Sequence, residues 1–329
     1  MYNSDPDSLN FLDGVRNSKG PDDLKDFFNQ LSRQNPDKAD IFINDKKLQF
    51  PTLFILKDEI RRTDLFRNLN QRNKIALLII KKILSDKKQN TPQENLSFRH
   101  IHLIHSVLRW ILSSGASSDG ISDEYARVLD ITSAILTQIY RDSTLLPIMA
   151  DIIFERHKKG LLIHDLIWAF FQSANPESLM IIGQKLLSDH KKDVELASKL
   201  LNFIPELEES TGRAKKYTIF SNWMKENSAF LKYTGESFHQ TFKPRPYRVV
   251  LEGKYLCRNI CCDTGKAVCC PTPEEYSLLD EFKKLDENVK VLLSNFSLKI
   301  HSRNIYLWGL WIRSPLEDQI KIARIGGVQ

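Results

Sequence analysis

Tyr247-Arg-Val-Val-Leu-Glu-Gly-Lys-Tyr-Leu-Cys257, Arg258-Asn-Ile-Cys261-Cys262, Asp263-Thr-Gly265-Lys-Ala-Val-Cys269-Cys270 and Pro271-Thr-Pro-Glu-Glu275 run on as one stretch that holds all five cysteines of the chain. The stretch is β-branched, aromatic and punctuated by turn residues. Such a run with Asp263-Thr264-Gly265 at its middle is a hairpin signal. Nearly everything on either side has helical periodicity. The chain therefore reads as mainly α, with one small β-hairpin set before a C-terminal helical part.

Upstream of the hairpin lies a basic, aromatic segment. Between Arg213 and Arg258 the chain carries six Lys and four Arg against three Glu, so the rest of a chain whose net charge is +6 is close to neutral. Arg213 to Phe230 reads as a helix, with Tyr217, Phe220 and Trp223 at helical spacing. Cations for phosphates beside aromatic platforms for bases is the composition that single-strand binding uses. Arg213, Lys215, Lys216, Lys243, Arg245 and Arg248, with Trp223 and Tyr247, are the candidates for polyanion binding. The plainer reading makes those aromatics core and those cations a solvated rim.

Further upstream, residues 92–205 have a regular pattern. Helices are predicted near 93–113, 122–141, 144–158, 160–174, 176–189 and 192–204. They are broken by Gly115, Gly120, Gly160 and Asn175-Pro176, the last pair an N-cap followed by proline at the first helical position. Short connections make neighbours antiparallel, and the pitch of roughly 30–35 residues per helix pair matches a HEAT-like α-solenoid or a compact helical array. A further helix opens at Pro51, and another runs from Arg72 to about Leu84. The N-terminal part, 1–50, reads as a short helix after Pro6, a second after Pro21, and a small hairpin or extended loop at Ile41-Phe42-Ile43 and Leu48-Gln49-Phe50. Downstream, Thr272-Pro273-Glu274-Glu275 is a capping box, and Ser314-Pro315-Leu316-Glu317 repeats the device. The expected organisation is 1–50, a helical stack over 51–205, the basic segment with its cysteine hairpin over 206–271, and C-terminal helices over 272–329.

Chain length and composition fit a folded protein with a real core: 329 residues, 42% hydrophobic and 27% charged. The run Ala76-Leu77-Leu78-Ile79-Ile80 is closed by Lys81-Lys82, far short of the roughly 18 residues a membrane span needs. The start shows no basic n-region or apolar h-region. An odd number of cysteines in one patch fits a reduced, cytoplasmic chain.

Cys257, Cys261, Cys262, Cys269 and Cys270 have the spacing C-x3-C-C-x6-C-C. A hairpin can bring two flanking pairs together, and zinc is the ion that four inward thiolates would hold. Adjacent residues on a strand face opposite sides, however, so both members of a doublet rarely reach one ion. The competing reading is a half-buried hairpin with reduced thiols, a Cys262–Cys269 disulfide being a third. Asp263-Thr264-Gly265 occurs once in a helical chain, which excludes the aspartic-protease arrangement of two equivalent lobes. His100, His102 and His105 share one helix without an acidic neighbour in sequence. No Gly-rich phosphate loop, His-Glu-x-x-His helix or Gly-x-Ser-x-Gly elbow is present. The expectation is a non-enzymatic helical scaffold or adaptor for another macromolecule, a protein first and a nucleic acid second. The hairpin is expected to be a structural clip that buries Val249, Leu251 and Val268.

Overall fold

The computed structural model describes residues 10–63, 65–85 and 101–326, with the side chain of Ile101 excepted. The protein is about 70% helical, and the described residues contain 19 α-helices and one two-stranded antiparallel sheet. It divides into two compact units, Met1–Arg156 and His157–Gln329, and the division falls inside the Leu146–Lys159 helix. The sequence expectations at 1–9, 86–100 and 327–329 lie outside the described residues.

The first unit starts with three short helices, Phe11–Lys19, Pro21–Gln34 and Pro36–Asn44. Two of them open on proline at the first position, where the missing N–H costs nothing. Ile41-Phe42-Ile43 is therefore helical, and not the strand or loop its β-branched composition predicts. The Asn35 side chain accepts from the Lys38 N–H and fixes the start of that helix. Ala39 and Ile43, four residues apart, then bury one face. Asp13 is buried and accepts from the Thr52 hydroxyl and the Gln49 N–H, which ties the first helix to the Phe50–Ile55 helix. The long helix expected from Pro51 breaks into Phe50–Ile55, Lys57–Arg62 and Leu65–Asn68. Three longer helices follow, Gln71–Ser85, Ile101–Gly115 and Asp123–Gln138. The Arg156 guanidinium is buried and fork-bonded to Asp119 at 2.8 and 3.0 Å. A buried cation needs such a partner.

In the second unit the helices His164–Phe171, Glu177–Gln184 and Lys191–Leu200 fall where the periodicity puts them, and so does Arg213–Asn227. The sheet departs from expectation. Its strands are β1 (Leu231–Tyr233) and β2 (Tyr247–Val249), in register Leu231↔Val249, Lys232↔Arg248 and Tyr233↔Tyr247. The partner of the Tyr247 strand is thus upstream. Leu251 to Tyr255, which the hairpin reading made a strand, is a short helix. The Asp263-Thr264-Gly265 turn does form: Gly265 sits at φ +71° and donates to the Cys261 carbonyl at 2.7 Å. It supports a single bridge, Ile260↔Ala267. This cysteine loop is held to its neighbours by the Tyr233 N–H on the Cys262 carbonyl and the Ile260 N–H on the Ala229 carbonyl, each 2.8 Å.

Beyond it the helices Pro273–Lys283, Glu287–Arg303, Ile305–Ile312 and Leu316–Gly326 enclose a small core. Tyr255 and Phe282 stack at 4.3 Å within it, with Leu279, Leu293, Phe296, Trp311 and Ile312 around them. Thr272 and Glu275 form the expected capping box.

Candidate functional site

The second unit has an open cleft of about 300 Å³, a volume that includes its mouth to solvent. Ile167, Trp168 and Phe171 come to it from one face of the His164–Phe171 helix, and Leu200 from the end of the Lys191–Leu200 helix. Tyr233 of β1 and Glu236, Ser237, Phe238, Pro244 and Pro246 of the β1–β2 connection complete it. Thirteen residues link the two strands, and local bonds give that loop a fixed course. Thr234 donates its N–H to the Pro246 carbonyl at 2.9 Å and its hydroxyl to the Arg245 carbonyl at 2.6 Å. The Arg245 N–H donates to the Glu236 carboxylate at 2.9 Å. On the outer side, the His164 ring stacks on Phe238 at 5.6 Å, Lys199 Nζ stands 5.0 Å from the same ring, and His239 pairs with Asp165 at 3.1 Å.

The lining is therefore apolar except for Glu236 and Ser237. It provides no nucleophile beside a base. The cleft's volume is mostly its open mouth, so it is a shallow apolar depression against which a partner's side chain can pack, and not a pocket that encloses a ligand. Phe242, on the same loop, is 94% exposed, and Leu162, two residues before His164, is 87% exposed. Both large apolar side chains are exposed on the segments that frame the cleft.

The residues picked for polyanion binding are scattered in role. Arg213 is paired with Asp189 at 2.6 Å, and Lys243 with Glu208 at 3.1 Å. Lys216 donates to the Leu207 carbonyl at 2.9 Å. Lys215, Arg245 and Arg248 are exposed, with no side-chain ion pair among the described residues. Trp223 is half-buried with its ring edge-on to Phe203. Tyr247 is fully buried, and its hydroxyl lies 2.9 Å from the Ser178 hydroxyl and donates to the Asn175 carbonyl at 2.9 Å. Burial pushes that phenol well above the ordinary range. Its ring is part of the interior and is not presented to bases.

The thiols also differ from one another. Cys257 is half-buried in a left-handed conformation, φ +51°, with Sγ 3.6 Å from the Ser297 hydroxyl and from the Lys254 carbonyl. Burial pushes it up, and burial likewise carries Cys262 up to about 11. Cys261 is exposed, and hydrogen bonds from the Thr264 side chain, and from the Thr264 and Asp263 backbone, hold it low. Cys269 and Cys270 are exposed, and all five are free. Cys261 and Cys262 thus differ in exposure, the first open to solvent and the second half-buried. Among the described residues no three His, Cys, Asp or Glu side chains come together in a set able to share an ion.

The expected clip needs correcting at Val268, which is 66% exposed, while Val249 and Leu251 are half-buried. Tyr247 and Tyr255 do the bridging. Tyr247 reaches Ser178, and the Tyr255 hydroxyl donates to Gln319 at 2.8 Å. Between them Lys254 is buried, with Nζ on the Asn227 and Asn295 side-chain oxygens at 2.7 Å each.

In the first unit His105 has an acidic partner after all. It lies 2.8 Å from Asp142 and stacks on Tyr140 at 4.5 Å. Burial works to raise the Asp142 carboxyl, but Thr144, His105 and Arg109 outweigh it and hold it at about 2. His102 is exposed, and His100 lies outside the described residues. No helix among the described residues is long and apolar enough to cross a membrane. No protein-family model, curated protein or solved structure matches this chain.

Proposed function

We propose that this protein is a non-catalytic scaffold that binds another protein, gripping an apolar side chain of its partner in the cleft of the second unit. The observation that carries the reading is the combination of an apolar cleft with exposed apolar side chains, Phe242 and Leu162, on the segments that frame it. Interface hot spots are anchors seated in such pockets and ringed by contacts that exclude water. Large apolar side chains as exposed as these are what a protein partner would cover. The cysteine composition fits action in the cytoplasm.

The test is affinity capture by the wild type and by Leu162→Ser/Phe242→Ser, with and without nuclease. Both positions are exposed, so the substitutions leave the fold intact. The expected result is a protein partner that survives nuclease and is lost with the double variant. Equal capture by both proteins sinks the reading.

A second reading, binding of nucleic acid or another polyanion, is supported by Lys215, Arg245 and Arg248, which are exposed and outside any ion pair. Capture that disappears with nuclease and with Lys215→Glu/Arg245→Glu/Arg248→Glu would replace the protein reading with this one.

A further inference from the structure

The helix Ile305–Ile312 reads Ile-Tyr-Leu-Trp-Gly-Leu-Trp-Ile, without a charged residue and with the tyrosine hydroxyl and two indole N–H groups as its only polar side-chain atoms. It is bolted down along one side. Trp311 and Ile312 are buried in the core around Tyr255 and Phe296. Trp308 donates its indole N–H to the Ser297 hydroxyl at 2.7 Å, and Ser297 in turn donates to the Tyr255 carbonyl at 2.6 Å. The other side carries Ile305, Tyr306, Leu307 and Leu310, each between 54% and 72% exposed. Four large apolar side chains standing out of an eight-residue helix call for an occupant.

Charge says which one. Arg303 and Arg313, both exposed, bracket the helix at its two ends. From His301 to Arg324 the chain carries Arg303, Arg313, Lys321 and Arg324 against Glu317 and Asp318. Glu274 is the acidic group near Arg313. A second copy of the chain fits badly, because an antiparallel two-fold pairing of these helices would set Arg303 of one against Arg313 of the other. An acidic peptide would need a groove. Side chains this exposed protrude instead of lining a hollow.

We propose that the Ile305–Ile312 helix seats this protein on an anionic lipid surface, with its aliphatic and tyrosine side chains among the headgroups and Arg303 and Arg313 on lipid phosphates. A helix lying in the interface needs buried apolar side chains with cations beside them, and it needs neither the length nor the continuity of a span. Juxtaposed arginines add attraction to an acidic leaflet. The buried side, anchored through Trp308, Trp311 and Ile312, means that no folding step accompanies docking.

The experiment is co-sedimentation of the full chain with vesicles of phosphatidylcholine alone and of equimolar phosphatidylcholine and phosphatidylserine. The wild type is expected to sediment at least about tenfold more with the acidic vesicles. Tyr306→Ser/Leu310→Ser and, separately, Arg303→Glu/Arg313→Glu should each remove most of that gain. Far-UV circular dichroism and melting temperature should stay at the wild-type values, since all four side chains are exposed. Three outcomes overturn the proposal: no sedimentation by the wild type, equal sedimentation with the neutral and the acidic vesicles, or sedimentation unchanged in Tyr306→Ser/Leu310→Ser. Leu162→Ser/Phe242→Ser should bind vesicles as the wild type does, which keeps this result separate from that of the cleft.

Discussion

Two stretches of the second unit have nearly the same ingredients and opposite fates. Residues 213–258 and 303–313 both mix arginines or lysines with aromatic and aliphatic residues. In the first, Phe220, Tyr247 and Tyr255 go inside, and much of the charge is spent within the fold on Asp189, Glu208, Glu275 and the Asn227–Asn295 pair. In the second, Ile305, Tyr306, Leu307 and Leu310 stay outside, between two exposed arginines. The difference lies in partners for the polar tips. Tyr247 is given Ser178 and Asn175, and Tyr255 is given Gln319. Tyr306 instead stays 72% exposed, its backbone N–H donating to the Asn304 side chain that caps its helix. Buried polar groups must be bonded, so a tyrosine's burial is decided by what lies several helices away.

The largest effect expected from this contrast is on stability. Tyr247→Ala removes a fully buried ring and leaves Ser178 facing a cavity, so it should cost about 3–5 kcal/mol in urea unfolding. Tyr306→Ala should stay within about 0.5 kcal/mol of the wild type. Equal costs at the two positions would erase the distinction drawn here.

An intermediate effect comes from alkali. Burial, against the hydrogen bond to Gln319, pushes the Tyr255 phenol up to about 12, while a tyrosine in the unfolded chain titrates near about 10. The folded chain thus holds the proton more tightly. That preference is a full stabilisation below about pH 10, and it is lost as pH climbs from there towards 12. Two units correspond to roughly 2–3 kcal/mol. Unfolding free energies measured from pH 8 upward should fall less steeply in Tyr255→Phe than in the wild type. Parallel curves would show that this phenol ionises no differently in the two states.

The sequence made the helices legible where local chemistry alone decides them. Thr272-Pro273 marks a true start, because a cap and a fixed φ need nothing beyond their own turn. Asn175-Pro176 needs correcting by one position: the helix begins at Glu177 with Pro176 at its N-cap, and Asn175 accepts from the Glu177 N–H one residue ahead of the cap. The sequence misled where composition competed with a cap, as at Ile41-Phe42-Ile43. What stayed hidden depends on contacts distant in sequence. Tyr247 pairs with Tyr233 across a loop that ends in Pro244-Arg245-Pro246, and His105 finds Asp142 37 residues on. The cleft is assembled from three such pieces, and its loop, irregular by sequence, takes its course from bonds between Thr234, Glu236 and Arg245. The exposed helix at 305–312 was readable as apolar, but nothing in its own pattern says which side faces a core.

The smallest effect tests the charge half of the comparison. Lys243 and Glu208 touch at 3.1 Å, but both side chains are about two-thirds exposed. Water screens such a pair, and ordering two long side chains offsets what attraction remains. Arg258 and Glu275 are different: the guanidinium meets the carboxylate through three contacts of 2.8–3.1 Å, with both side chains mostly covered. Glu275 also accepts from the Thr272 N–H as half of the capping box. A double-mutant cycle on Lys243→Ala and Glu208→Ala should give a coupling below about 0.5 kcal/mol that vanishes in high salt. The same cycle on Arg258→Ala and Glu275→Ala should give about 1–2 kcal/mol and survive salt, because forked, partly buried pairs are stronger and less screened. Equal couplings would mean that the cations of the basic segment are all surface charge, and that the loop they surround is held by its backbone and tyrosines alone.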